Sequence, residues 1–186
     1  MRTSRPSPSI NSGSMADIAF LLLIFFLVTT TISGDEGINR KLPNDCPPGT
    51  DCSVPIPERN IMRIMVNNEN KIMIDNGDII EINDLKDVVK DFIDNNGDGS
   101  CVFCNGKRNI SSSDSPSKAV ISLQSGKFTS YNIYIHVQDE ITKAYYELRA
   151  EYAKKVLKKD LNDLSEMERK KVKDAYPFIL SEAETR

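Results

Sequence analysis

Ile18-Ala19-Phe20-Leu21-Leu22-Leu23-Ile24-Phe25-Phe26-Leu27-Val28-Thr29-Thr30-Thr31-Ile32 is a run of fifteen residues without a charge. With Met15, Ala16 and Ser33 it becomes a stretch of 19 residues interrupted by one acid, Asp17. A helix of that length spans about 28 Å, close to the hydrocarbon core of a bilayer. Eleven of the fifteen residues are Ile, Leu, Phe or Val. Each of these favours insertion by roughly 0.3–0.6 kcal/mol, whereas an Asp opposes it by about 3 kcal/mol at mid-helix and by less near an end. Insertion wins, and the stretch predicts a transmembrane helix over residues 14–33.

The flanks set an orientation. Arg2 and Arg5 precede the helix without an acid, and Asp35 and Glu36 follow it before Arg40 and Lys41. The positive-inside rule then places residues 1–13 in the cytoplasm and the chain from residue 34 outside. A cleaved signal peptide is the rival reading. Its apolar core would be shorter and free of acid, and the exit Thr29-Thr30-Thr31-Ile32-Ser33-Gly34-Asp35-Glu36 has no clear small-x-small cleavage site. The first cysteine, Cys46, is also too distant for a lipoprotein signal. An uncleaved anchor is expected.

The averages conceal this segment. The 186 residues carry 24 Lys and Arg against 27 Asp and Glu, a net charge of −3. Mean hydropathy is −0.37. Read alone, these values describe one soluble domain with an appendage, and the absence of a basic surplus argues against nucleic-acid binding.

An acid within a membrane segment marks function unless it is protonated, paired or hydrated. Asp17 has a second reading as a helix N-cap, where the dipole favours negative charge. Composition does not choose between the two.

The neighbouring residues add a third consideration. The segment Ile10-Asn11-Ser12-Gly13-Ser14-Met15-Ala16-Asp17, continued by the aliphatic run to Val28, closely resembles the membrane segment of the ExbD/TolR family. These are single-span subunits of proton-driven complexes in Gram-negative envelopes. The family pattern is an Ile-Asn pair, a short polar bend, an Asp and an aliphatic run. Many members have Pro where this chain has Ser14. The resemblance continues at Leu42-Pro43 and more weakly beyond.

It implies an inner-membrane location with a periplasmic domain, and Asp17 as the carboxylate that takes up and releases protons. One helix cannot enclose a proton path, so a polytopic ExbB/TolQ-like partner is implied. A second ExbD-like subunit and a TonB-like periplasmic protein are implied with it. On a helix, Leu21, Phe25 and Val28 share the face of Asp17, which is expected to lie against the polytopic partner. The output implied first is TonB-dependent transport across the outer membrane. A TolR-like role in envelope constriction, with peptidoglycan binding, is the alternative, and a membrane-anchored binding module without proton coupling is a third. Thr29, Thr30 and Thr31 either hydrate the outer end of the proton path or bond to their own helix backbone.

Residues 34–58 hold five prolines (Pro43, Pro47, Pro48, Pro55 and Pro57) and no regular periodicity, which marks a linker. Cys46 and Cys52 lie in it, and Cys101 and Cys104 form a Cys-Val-Phe-Cys. An oxidising compartment makes these four disulfide candidates with three possible connectivities. Local pairing of Cys46 with Cys52 and of Cys101 with Cys104 competes with crossed pairings. Zinc would need a different spacing, and a thioredoxin-like site would need a βαβ context.

Residues 59–130 read as a small α+β domain, a sheet with helices on one side. Residues 60–67, 70–75 and 78–82 are expected strands, with Asn76-Gly77 as a hairpin turn. Leu85, Val88, Val89, Phe92 and Ile93 mark a helix from Asn83, and residues 119–123 a further strand. Asp94 to Ser100 imitates half a calcium loop, but Asn105 stands where a bidentate Glu is required, so an irregular turn is expected. Residues 105–118 read as flexible polar surface.

Residues 131–186 are expected to be the helical C-terminal part. Ile133, Val137, Ile141, Ala144, Tyr145, Leu148, Tyr152 and Val156 form an apolar stripe on a helix from Tyr131 to about Lys158. Ser165-Glu166-Met167-Glu168 is a capping box for a last helix ending before Pro177. His136 is the only histidine and has no ligand-spaced partner. No cofactor, metal or catalytic constellation is expected, and the chain does not read as an enzyme.

Overall fold

The computed structural model describes residues 11–29, 55–75 and 77–184. The chain divides into two units between Cys52 and Ser53. The first contains helix α1, Ser12–Thr29. Asn11 begins it: its side-chain oxygen accepts from the Gly13 N–H at 3.0 Å, and its carbonyl accepts from Met15 N–H at 3.4 Å. That is an N-cap. Apart from Asp17 and a few hydroxyl residues the helix is apolar, and its side chains are exposed. It is the one helix among the described residues long and apolar enough to cross a membrane. At its far end Thr29 Oγ1 donates to the Phe25 carbonyl at 2.7 Å, so this hydroxyl serves its own backbone. Thr30, Thr31, Leu42-Pro43, Cys46 and Cys52 lie outside the described residues, as does Asn76 of the hairpin turn.

The second unit is a five-stranded mixed sheet with helices over one face. In chain order it contains β1 (Ile61–Val66), β2 (Ile72–Ile74), β3 (Asp78–Ile80), α2 (Ile82–Ile93), β4 (Val120–Ser125), α3 (Tyr131–Tyr152), α4 (Glu166–Ala175) and β5 (Leu180–Glu184). The order across the sheet is β3-β2-β1-β4-β5. The first three strands form an antiparallel meander, with Ile64 opposite Ile74 and Ile72 opposite Ile80. The α2 crossover then returns the chain as β4, parallel to β1, with Ile61 opposite Val120. Along β1 the period-two pattern appears directly: Met62, Ile64 and Val66 are buried, and Arg63 and Met65 face solvent. Ile121 and Leu123 continue the buried face on β4.

Leu85, Val89, Phe92 and Ile93 of α2 pack in this core with Val137, Ile141, Ala144, Tyr145 and Leu148 of α3. Lys86 and Lys90 each reach Glu147 at 2.8 Å across the two helices. Of the expected α3 stripe, Ile133 and Tyr152 are half-buried, whereas Val156 is 48% exposed. The cause is local. The helix widens to a π-turn over Ala153–Leu157 and stops at Lys158, whose φ is +58°. A small satellite core of Ala153, Leu164 and Val172 follows.

Ser165 caps α4 reciprocally with Glu168, and Lys159 Nζ adds a bond to Glu168 Oε1 at 2.7 Å. The Lys159 bond, with the Ser165 backbone and hydroxyl bonds behind it, lowers the Glu168 pKa to about 2. A carboxylate whose folded pKa lies below its unfolded value of 4.5 supports the fold above that pH and loses its contribution as pH falls towards 2. Acidification through this window is expected to increase amide exchange over α4 before β1 or β4 responds. Hydrogen exchange across a pH series, corrected for intrinsic rates, checks this.

Among the described residues, the helical C-terminal part gives way to a strand after α4. After Pro177, β5 lies parallel to β4, with Ile121 opposite Leu180, and becomes an edge of the sheet.

Candidate functional site

The geometry of α1 bears on the helix-cap reading of Asp17. The helix begins at Ser12 with no acid in its first turn, and Asn11 holds the cap. Asp17 therefore lies within the regular part of the helix, too far along to bond the free amides at its start. A helical repeat of about 3.6 residues places Leu21, Phe25 and Val28 within roughly 80° of Asp17 around the axis. The same rotation adds Ile24, about 20° from Asp17 on the other side from Leu21 and Val28, which the stripe read from the sequence omitted. The result is a carboxylate at one end of an apolar face.

In the second unit, polar side chains are concentrated in the segment between α2 and β4. The expectation of flexible surface over residues 105–118 fails for part of it, because Ser113, Asp114 and Ser115 are buried. Asparagine side chains supply the ladder that periodic structure would otherwise provide. Asn95 Nδ2 donates to the carbonyls of Asn109 and Ser113, both at 2.8 Å, and its oxygen accepts from Asn109 N–H at 2.9 Å. Asn96 holds both backbone groups of Cys101 at 2.9 Å. Asn60, just before β1, brackets Asp114. Gly106 is required by close approach: a Cβ there would lie 2.2 Å from the Asp94 carbonyl oxygen.

The groups that imitate a calcium loop are already engaged. Asp94 accepts from Tyr176 Oη at 2.6 Å and from Asn105 N–H at 2.9 Å. Asp98 accepts from Lys118 Nζ at 2.8 Å and from Ser100 N–H at 2.9 Å. The Lys118 bond chiefly holds Asp98 well below the usual carboxylate range. Burial, followed by the bond to Asp94, pushes the Tyr176 phenol up. Among the described residues no three His, Cys, Asp or Glu side chains converge for a metal. His136 is an exposed residue of α3.

Cys101 and Cys104 are joined by a disulfide with a Cα–Cα distance of 5.5 Å. Away from the disulfide, a cleft of about 640 Å³ bordered by Asn95, Lys107 and Asn109 has an apolar floor that includes Met62, Ile74, Val88 and Phe92. Its charges are matched locally: Arg63 pairs with Glu58 at 2.7 Å, and Lys107 with Asp91 at 2.9 Å.

An apolar helix of a length and composition consistent with a single membrane span, bearing one internal carboxylate, stands in the same chain as a small one-sided α+β domain. The chain matches the family of biopolymer transport protein ExbD/TolR over residues 3–151, and it belongs to that family. The match takes in α1, the first four strands and most of α3. Residues from Tyr152 onward, with α4 and β5, lie beyond it. No curated protein matches the chain. The family is one of non-enzymatic proteins that act with membrane partners in energising biopolymer transport.

Proposed function

We propose that this protein is the single-span subunit of a motor driven by the proton-motive force, and that it energises TonB-dependent transport across the outer membrane. The observation that carries the reading is Asp17, set inside an apolar helix whose cap is supplied by Asn11. An Asp is neutral when protonated and costly in hydrocarbon when ionised, so proton occupancy changes which surroundings the helix tolerates. Protonation is thereby coupled to movement of α1 against its partner. A membrane potential of 100 mV supplies about 2.3 kcal/mol per charge, so sizeable mechanical work needs several protons per stroke.

The motor needs an ExbB/TolQ-like polytopic protein to enclose the proton path, a second copy of this chain, and a TonB-like protein to receive the stroke. The N-terminus is cytoplasmic, and the folded domain stands in the periplasm at the end of the 34–58 linker. Family membership supports energised transport in general and is equally compatible with a TolR-like output, in which the outer domain binds peptidoglycan. Gene neighbourhood separates these outputs.

Single cysteines at Leu21, Phe25 and Val28, on a background with the four native cysteines replaced by serine, test the partner-facing surface. They are expected to cross-link to a co-purifying polytopic subunit severalfold more efficiently than cysteines at Leu23 and Phe26 on other faces. Equal cross-linking around the helix, or purification without any polytopic partner, would overturn the assignment.

A further inference from the structure

The Cys101–Cys104 ring is wired to the end of the chain by two routes. Phe103, between the two cysteines, packs edge-on against Tyr152 and Tyr176, with ring centroids 4.9 and 5.4 Å apart. Asp94 forms the second route: one carboxylate oxygen accepts from the N–H of Asn105, next to Cys104, and the other from Tyr176 Oη. Tyr176 is in turn held at its carbonyl by Arg149 Nε and Nη2, at 3.0 and 2.7 Å. Four residues later the chain enters β5, the edge strand that completes the sheet. The two ends of the ring differ. Cys101 is buried, with both its backbone groups fixed by Asn96, whereas Cys104 is half-buried beside the fully exposed Val102.

From this connectivity we propose that the Cys101–Cys104 disulfide is a redox-controlled latch on the C-terminal strand. The latch does not depend on the proton-coupling reading of Asp17. In the oxidised ring, residues 101–104 are confined and Phe103 is held on Tyr152 and Tyr176. A dithiol reductant opens it in two exchange steps. A reductant thiolate attacks Cys104 Sγ, and the Cys101 thiolate leaves and takes a proton. The second reductant thiolate then resolves the mixed disulfide, which releases Cys104 as a thiol and the reductant as its own disulfide. Two electrons pass from reductant to protein. Cys101 stays on Asn96, so the freedom gained is concentrated at Phe103 and Cys104. Phe103 leaves the two tyrosines, Asp94 loses its fixed Asn105 partner, and Tyr176 no longer anchors the segment leading into β5.

The test uses the full-length protein in detergent micelles, with Cys46→Ser and Cys52→Ser so that one disulfide remains to be reduced. Amide exchange is compared before and after treatment with dithiothreitol, with two free thiols confirmed by alkylation and mass. Reduction is expected to speed exchange of residues 176–184 at least tenfold and to leave Ile61–Val66 unchanged. Adding Cys101→Ser and Cys104→Ser should reproduce the reduced pattern and remove the response to dithiothreitol. Phe103→Ala should loosen the same segment with the disulfide intact. Unchanged exchange over 176–184 in the verified dithiol form would overturn the proposal. So would equal acceleration throughout the domain, because the ring would then be a general staple and not a latch.

Discussion

Asp17→Asn is expected to abolish proton-driven transport while leaving the protein inserted and assembled. The substitution keeps side-chain size and a hydrogen-bonding head, and it removes only the ability to exchange a proton. Insertion does not suffer, since an acid opposes it by up to about 3 kcal/mol at mid-helix. The start of the helix does not suffer either, because the cap bond comes from Asn11 to Gly13 and not from Asp17. A structural role for the carboxylate therefore predicts a mild effect, and a proton-carrying role predicts loss to the level of a null strain. Asp17→Glu separates the two further. It retains a titrating carboxyl displaced by one methylene and should restore part of the activity that Asn cannot. Energised uptake of an outer-membrane substrate, together with quantified complex in the membrane, is the measurement. Full uptake by the Asn variant in an intact complex would remove Asp17 from the mechanism.

Much of the fold was legible because its elements carry a period. The alternation of Met62, Ile64 and Val66 with Arg63 and Met65 gave β1 its buried face, and the spacing of Leu85, Val89, Phe92 and Ile93 gave α2 its stripe. Two features carried no such signal. Residues 113–115 are Ser, Asp and Ser, which on composition belong at the surface. They are buried because Asn95 and Asn60 reach them from 18 and 54 positions earlier in the chain. β5 reads Leu-Ser-Glu-Ala-Glu, with one strongly apolar residue, and its strand character comes from the vacant edge of β4. Asp17 was visible as an anomaly, but its separation from the cap required the helix start to be fixed at Ser12. A clearer sign was already in the sequence: Asn11 is a good cap residue one position before the helix.

Asn60→Ala is expected to be among the most destabilising single substitutions in the outer domain, although it removes no apolar surface. Asn60 is 1% exposed and bonds Asp114 at two points. Its Nδ2 donates to Asp114 Oδ2 at 3.1 Å, and its Oδ1 accepts from Asp114 N–H at 2.8 Å. Arg59 occupies the other carboxylate oxygen at 2.9 Å, while Lys118 stands 3.9 Å from Oδ2. Alanine would leave a buried amide without an acceptor and a buried carboxylate oxygen without its short donor. Each orphaned group costs about 1–3 kcal/mol, more when charged, so a loss of about 3 kcal/mol is expected. Against a typical domain stability of about 5–15 kcal/mol, that is a large fraction. Asn60→Asp makes the cause testable by pH. It places a second carboxylate beside Asp114, and two ionised carboxylates at such a distance repel. The repulsion is absent where they are protonated, so Asn60→Asp should lose more stability at pH 7 than at pH 4, relative to the parent at each pH. Urea unfolding of the full-length protein in detergent, followed through the tyrosine near-UV signal, reads both effects. A loss below about 1 kcal/mol for Asn60→Ala would mean that water replaces the asparagine, and that the segment between α2 and β4 is held by its other bonds.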